Sequence, residues 1–130
     1  MIRPPAWWRR RVQGAADAHT IDDLVAALER ADADGIRRVL HSEVVTLVDG
    51  GGLVDAPLAA QHGADAALES LRRTVRDGTI EGASINGSPG IIVRDGDRVV
   101  ATICGSARGE KLVELWIVRN PEKLQRWNRP

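Results

Sequence analysis

Hydrophobic residues in the first half of the chain recur at the spacing of a helix. Over residues 21–28 they occupy positions i, i+3, i+4 and i+7, so they share one face, and Thr20 is placed to cap the first turn. A shorter helix is expected after Asp34, and the same spacing returns over 62–76. The sequence therefore predicts three helices, each with one apolar face turned toward a core.

Short β-branched segments, separated by turn residues, predict the strands. The first, 44–48, stops at Asp49-Gly50-Gly51-Gly52. Four more strands are expected later in the chain, at 79–85, 91–94, 97–106 and 111–118. Because the loops between these four are short, neighbouring strands must run antiparallel. Helices followed by strands predict an α+β domain, in which the helices pack on one face of a curved sheet.

Composition excludes several classes of protein. The chain has 130 residues, with 18 Lys and Arg against 18 Asp and Glu, one Cys and no Tyr. This length suits a single domain, and a net charge of zero gives no overall field to attract nucleic acid or an anionic membrane. One Cys forms no internal disulfide or multi-cysteine metal site, and without Tyr no phenol can act as acid or oxyanion donor. With neither an apolar run of roughly 18 residues nor a signal-peptide core, we expect a cytoplasmic protein.

The zero net charge hides two basic ends. Residues 1–11 carry four Arg and no acid, and residues 119–130 carry a net charge of +3, so the middle of the chain is acidic. The ends are either arms that bind an anionic protein partner, or a leader and a tail that fold back onto the acidic body. We therefore divide the chain into a basic leader (1–18), a domain (19–119) and a basic C-terminal tail (120–130).

Three motifs in order carry a resemblance to a known family: Asp49-Gly50-Gly51-Gly52, Asn86-Gly87-Ser88-Pro89-Gly90 and Asn120-Pro121-Glu122-Lys123-Leu124. With the order of elements, they resemble the SnoaL-like domains of the nuclear-transport-factor-2-like (NTF2-like) superfamily over roughly residues 19–127. A closer likeness is to the SnoaL-like extension at the C-terminus of a group of extracytoplasmic-function sigma factors. The resemblance implies a cone of three helices on a curved, mostly antiparallel sheet of about six strands. It also implies an apolar pocket and a homodimer formed through the sheet.

The chain departs from these relatives in two ways. Leu53 stands where the family commonly has Lys, and only some 18 residues precede the domain. The two helical sigma domains that bind polymerase and promoter have no room in that segment. We therefore expect an accessory domain that stands alone, and not a sigma factor.

Asp49 is the candidate general base. The resemblance to ketosteroid isomerases places it at the position of their catalytic aspartate, if one extra residue is allowed before it. A desolvated carboxylate at the mouth of an apolar cone would suit proton abstraction or water activation. His62, expected at the start of the third helix, could approach Asp49 as a partner. The alternatives are a turn aspartate that accepts N–H bonds from the glycines after it, and a solvated histidine.

The isomerase comparison also implies what this chain has lost. Leu24 falls at the position of the Tyr that holds the enolate oxygen, and the partner Asp falls at or beside Cys104. Neither residue donates a strong hydrogen bond, so any activity would be isomerisation, cyclisation or epoxide hydrolysis without that oxyanion hole. No cofactor is implied, and the three His are too far apart in sequence to form a local metal-ligand pair. The pocket for an apolar small molecule would be lined by Leu24, Leu28, Asn86, Ile103, Cys104, Leu115 and Ile117.

The expected function is therefore that of a small SnoaL-like pocket protein that binds an apolar small molecule and could act on it with Asp49 as the base. The alternative is a non-catalytic regulatory module that binds a protein. In the sigma-linked relatives the last motif is implicated in contact with the sigma core, which here implies partner-binding roles for Asn120, Pro121, Lys123 and Leu124. The competing explanation is that this segment only ends the domain, with Leu124 and Trp127 packed back against the rest of it.

Trp116 has a different expected role. It alternates with Glu114 and Val118 on the less apolar face of the last strand, and Val113 is expected on the opposite, aliphatic face. A Trp beside an acid suits a dimer interface better than a cavity wall. The other three Trp lie in the basic ends, so the cone must be built from aliphatic side chains and Ala, and such a cone could stay open.

Overall fold

The computed structural model describes residues 17–50 and 60–128, and within them it shows four helices and one six-stranded sheet. The basic residues 1–11 and the last two glycines of the Asp49–Gly52 turn lie outside the described residues. The elements, in chain order, are α1 (Ala18–Glu29), α2 (Ala33–Val39), β1 (Leu40–Asp49), β2 (Gln61–His62), α3 (Ala64–Val75), β3 (Thr79–Ile85), β4 (Ser88–Asp95), β5 (Arg98–Arg108), β6 (Lys111–Val118) and α4 (Pro121–Asn128). The predicted α+β class is confirmed. No helix among these residues is long and apolar enough to span a membrane.

Both of the first two helices start at an aspartate cap. The carboxylate of Asp17 accepts the backbone N–H of Thr20 at 2.8 Å, and Asp32 does the same for Gly35 at 3.0 Å. Thr20, the predicted cap, instead lies inside α1 and is buried. The prediction was wrong by one turn because an acid three residues earlier reaches the same free N–H groups.

The sheet order is β2-β1-β6-β5-β4-β3, and β1 pairs with β6 in parallel while every other pair is antiparallel. The hairpin between β3 and β4 turns at Asn86 and Gly87, whose φ angles are 53° and 82°. Because Asn and Gly tolerate positive φ, two residues complete this turn. Ser88, Pro89 and Gly90, which were predicted as part of the turn, therefore belong to β4.

The two faces of the sheet carry separate clusters. The inner face packs against α1, α2 and α3 through Leu, Ile, Val and Ala side chains, which confirms the predicted aliphatic interior for the described residues. The outer face carries Trp116 and Val118, and α4 packs on it through Leu124. A bulge in the β5–β6 pairing shifts the register next to Val113, so this residue lies beside Glu114 on the outer side and not on the inner face as expected.

Candidate functional site

The space between the helices and the inner face of the sheet is where the resemblance implies a pocket. Five predicted pocket residues do face this space: Leu24, Leu28, Ile103, Leu115 and Ile117. Leu28 is 6% exposed and the other four are 0% exposed. A side chain that lined a cavity wide enough for water would keep some exposed area. These residues therefore pack against one another and fill the interior that they were expected to line.

Residues of β1 alternate between the interior and the outer face. Val44 and Val48 belong to the inner cluster, so Thr46 between them also faces inward. The Thr46 side chain is buried, and its hydroxyl has no hydrogen-bond partner among residues 17–50 and 60–128. The polar atom that β1 brings into the interior is thus a threonine hydroxyl and not a carboxylate.

Asp49 lies on the opposite face of β1. In the parallel pairing it is level with Val118, which belongs to the outer cluster, and its carboxylate forms an ion pair with Lys123 of α4. The side chain is 20% exposed. The comparison with ketosteroid isomerases needed one extra residue before Asp49, and one residue in a strand moves a side chain to the other face. The structure therefore places Asp49 away from the interior in which a base would act.

His62 lies in β2 and not at the start of α3, which begins two residues later at Ala64. It is exposed and sits directly opposite Val45 of β1. Asp49 is four residues further along β1, a separation of roughly 13 Å at the usual rise of a strand. The two residues share the outer side of the sheet, but they are too far apart to form a hydrogen bond.

Cys104 and Asn86 are also outside the interior. Cys104 packs with the outer cluster, where its Sγ is 3.9 Å from the carbonyl oxygen of Trp116. Burial raises the pKa of this thiol to about 12, so it is not a nucleophile near neutral pH. Asn86 is exposed in the β3–β4 turn. Neither residue lies among the packed side chains of the predicted pocket.

The Asn120–Leu124 motif forms the start of α4. The Asn120 side chain accepts the N–H of Glu122 at 3.1 Å, and its backbone carbonyl accepts the N–H of Leu124 at 3.1 Å. Leu124 is 2% exposed because it packs with Trp116 and Val118. Trp116, expected at a dimer interface, is therefore buried within one chain. Of the predicted partner-binding residues, Lys123 remains 47% exposed while Leu124 is used inside the domain.

Asn128 fixes the end of α4 to the sheet. The backbone N–H of Val99 donates to Asn128 Oδ1 at 2.7 Å, and Asn128 Nδ2 donates to the carbonyl oxygen of Val99 at 2.9 Å. This pair of bonds satisfies the backbone of β5 next to the bulge in its pairing with β4. Sequence reasoning missed Asn128, although its position four residues after the buried Leu124 places it on the same face of a helix.

A polar cleft of about 720 Å³ lies on the outer side of β1, β2, β5 and β6. Within it the N–H of Glu43 donates to Nδ1 of His41 at 3.0 Å, and Glu114 is buried at 4% exposure. Sequence reasoning missed this cleft, and its signal was an acid within the apolar strand 111–118. The cleft suits a polar molecule better than an apolar one, because its lining mixes charges of both signs. Its walls are His41, Glu43, Val45, His62, Ser106, Ala107, Arg108, Val113 and Glu114.

The described residues hold no group of three or more His, Cys, Asp or Glu side chains that could bind a metal ion. The two residues of the predicted acid–base pair, Asp49 and His62, are not brought together. Among the described residues, neither Asp49 nor His62 lies beside the apolar interior.

No protein-family model and no curated protein matches the chain. Among solved structures, the extracytoplasmic function sigma factor SigJ of Mycobacterium tuberculosis is similar, with a TM-score of 0.68 and 24% identity. That match covers 90% of this chain and 47% of the sigma factor, so the chain spans about half the length of this relative.

Two further structures match over most of both chains. An NTF2-like protein from Burkholderia xenovorans has a TM-score of 0.53 and 15% identity, over 83% of this chain and 92% of that one. A SnoaL-like protein of unknown function from Burkholderia thailandensis has a TM-score of 0.56 and 14% identity, over 80% and 97%. At these identities the likeness shows a shared fold.

Proposed function

Because the described residues have the NTF2-like fold and their inward-facing side chains are packed together, we propose that the chain is a non-catalytic regulatory module that binds a protein in the cytoplasm. The observation that carries this proposal is the position of Asp49. Its carboxylate is on the outer face in an ion pair with Lys123, while the interior of the fold is occupied by aliphatic side chains. A base that is separated from the interior by the sheet cannot act on a substrate bound there.

The likeness to a sigma factor supports a role in transcription. A region of that protein has this fold, and this chain matches about half of its length. We therefore propose that the domain is an accessory module that binds a transcription protein. Its contacts would regulate that protein without catalysing a reaction.

The exposed side of α4 is the proposed contact surface. Leu124 and Asn128 hold this helix against the sheet, so its position is fixed relative to the rest of the domain. Lys123 and Arg126 are exposed on it beside one acid, Glu122. A rigid helix with a net positive charge suits an acidic protein surface.

The first experiment tests the filled interior. We expect the wild-type chain to show no saturable binding of benzene, a steroid or an aliphatic epoxide by isothermal titration and ligand-observed NMR. Leu115→Ala is the matched control, because removing a fully buried side chain from the interior should open an apolar cavity that benzene can enter. Saturable binding by the wild type, or turnover of any of these compounds that Asp49→Asn abolishes, would contradict the proposal.

A second experiment tests the protein contact. A photo-cross-linking amino acid placed at Arg126 of α4 should form adducts with an acidic transcription protein in cells that make this chain. The same group at Arg72, which is exposed on α3, is the control and should give no such adduct. Equal labelling from both positions would argue against α4 as the contact surface.

A further inference from the structure

Among residues 17–50 and 60–128, strand β3 forms one end of the six-stranded sheet and pairs only with β4. Of its seven residues only Ile85 is buried. Such an edge presents backbone N–H and C=O groups that can pair with another strand. Many proteins block an edge with Pro, Lys or a bulge, but β3 contains no Pro or Lys, and its pairing with β4 runs without a register shift.

The β3–β4 hairpin shows which backbone groups of β3 point outward. Its two-residue turn joins Ile85 to Ser88, and the residues next to such a turn exchange both hydrogen bonds. Hydrogen-bonded pairs then alternate along the ladder, so the next residue, Ser84, is not bonded to its partner Pro89. This agrees with Pro89 having no N–H. The N–H and C=O groups of Ile80, Gly82 and Ser84 therefore point away from β4.

We propose that β3 pairs with β3 of a second copy of this chain, antiparallel and with Gly82 on the two-fold axis. In this register Gly82 bonds to Gly82 of the second copy, and Ile80 of each copy bonds to Ser84 of the other. The three outward residues of each copy then supply six hydrogen bonds and join the two sheets into one. This inference goes beyond the proposed function and does not depend on it.

The side chains of β3 suit this register. Glu81, the one charged residue of the strand, falls opposite Ala83 of the second copy and not opposite another acid. Its carboxylate is already paired with Arg94 of its own chain, with Nε to Oε1 at 2.8 Å. The pairing therefore brings no unpaired like charges directly together.

A groove of about 450 Å³ beside the edge provides room on the inner side. It runs between the start of α1 and the β3–β4 hairpin, and small residues form much of its wall, among them Ala18, Gly82 and Ser84. Ile80 shares the inner face with Gly82 and Ser84, and in the proposed register Ile80 of the second copy falls opposite Ser84. The half-buried Ile80 side chain of the second copy would enter this end of the groove.

The outer face of the sheet is a poorer surface for a second copy. Its apolar centre, which includes Trp116 and Val118, is already covered by α4. The part next to it, on β1, β2, β5 and β6, is the polar cleft described above. Within the described part of the chain, the β3 edge thus offers both main-chain groups and small side chains for self-pairing.

Gly82→Pro tests the proposal against Gly82→Ala as its matched control. Pro removes the N–H that would bond across the two-fold axis but leaves the β3–β4 ladder intact, because that N–H points outward. Ala keeps the N–H and fits, since an added Cβ would meet nothing nearer than the Gly90 carbonyl oxygen at 4.0 Å. By sedimentation equilibrium we expect a wild-type dimer, the same dissociation constant for Gly82→Ala, and a dimer at least roughly tenfold weaker for Gly82→Pro.

Amide hydrogen exchange gives an independent signature. The amides of Ile80, Gly82 and Ser84 should become protected as the protein concentration rises, while those of Glu81 and Ala83 are already bonded to β4 and should not change. This alternation distinguishes strand pairing from contact through a face of the sheet, which would leave the three outward amides unprotected.

A charge pair keeps the test decisive if the Gly82→Pro variant does not fold. Ala83→Lys places a base opposite Glu81 of the second copy and should tighten the dimer, whereas Ala83→Glu places two acids opposite each other and should weaken it. Three results would overturn the proposal: a wild-type chain that is monomeric at about 1 mM, a dimer that Gly82→Pro leaves unchanged, or equal effects of the two Ala83 variants.

Discussion

Lys123 of α4 forms an ion pair with Asp49 at the end of β1, 74 residues earlier in the chain. The contact joins two motifs to which the sequence suggested separate roles, one as a catalytic base and one as a partner-binding segment. It holds the start of α4 next to the last residue of β1, where Val118 of β6 is also level with Asp49. Both motifs thus contribute to how the C-terminal helix is attached to the sheet.

A double-mutant cycle should detect the Asp49–Lys123 contact. Because Lys123 is about half exposed, Asp49→Asn and Lys123→Met are each expected to lower the free energy of unfolding by no more than about 1 kcal/mol. The double variant should lose clearly less than the sum of the two, as measured by urea denaturation. Arg72→Met, at an exposed position on α3, serves as the control. Strict additivity of the two changes would show that the ion pair contributes nothing to stability.

Leu124 is expected to be the main apolar anchor of α4. Leu124→Ala should lower the free energy of unfolding by about 2–4 kcal/mol, since it removes a buried side chain from the outer cluster. Loss of this packing should also expose Trp116 to water and shift the tryptophan fluorescence to longer wavelength. Gln125→Ala, one residue further along the exposed side of the helix, should change stability by less than about 0.5 kcal/mol. Similar losses for both variants would mean that α4 is not anchored through Leu124.

Cys104 should react slowly with thiol reagents. The side chain is only partly buried, but burial raises its pKa to about 12, so the thiolate that reacts is scarce at pH 8. Leu124→Ala should speed labelling by Ellman's reagent, because it loosens the helix that covers this cluster. The raised pKa also means that this thiol stabilises the fold below pH 9, and that its contribution is lost as the pH rises toward 12. Replacing Cys104 with Ala should flatten that alkaline decline, and an unchanged decline would contradict the assignment.

The stability of α1 should depend on pH through the carboxylate of Asp17. The N–H of Thr20 donates to its carboxylate, and this bond holds the pKa of Asp17 below the usual 3.8. A lowered pKa in the folded state means that the cap stabilises the fold above about pH 4 and is lost as the pH falls through the folded value. Asp17→Asn keeps a capping oxygen without a charge, so its melting temperature should fall less than that of the wild type between pH 5 and pH 2. If the melting temperatures of the wild type and of Asp17→Asn fell by the same amount over that range, this role of Asp17 would be refuted.

The order of helices and strands could be read from the chain because local rules decide it. The apolar spacing over 21–28 and over 62–76 places α1 and α3 within a few residues of where they lie. The strand β3 was predicted with its observed ends, since turn residues bound it on both sides. Errors fell at places where two local rules compete. Thr20 and Asp17 are both suitable helix caps, and the sequence from Ser88 to Gly90 is compatible with either a turn or a strand.

The candidate site was less predictable because successive side chains of a strand lie on opposite faces of the sheet. Asp49 ends β1 as expected, but the face on which a side chain lies depends on the register of the strand in the sheet. Val48 points into the interior and Asp49 points out, and only the pairing with β6 fixes this. Val113 changed face for a similar reason, since a bulge in the β5–β6 pairing adds one residue on its strand.

The sequence by itself determined the α+β order and an interior built of aliphatic side chains, because both follow from periodicity and from the absence of Tyr and Phe. Only the tertiary structure decided whether that interior is open, since packing depends on how Leu24, Ile103 and Leu115 meet across elements. It also decided the role of the C-terminal segment. The contact between Lys123 and Asp49 spans 74 residues of chain, and no local pattern predicts so distant a partner.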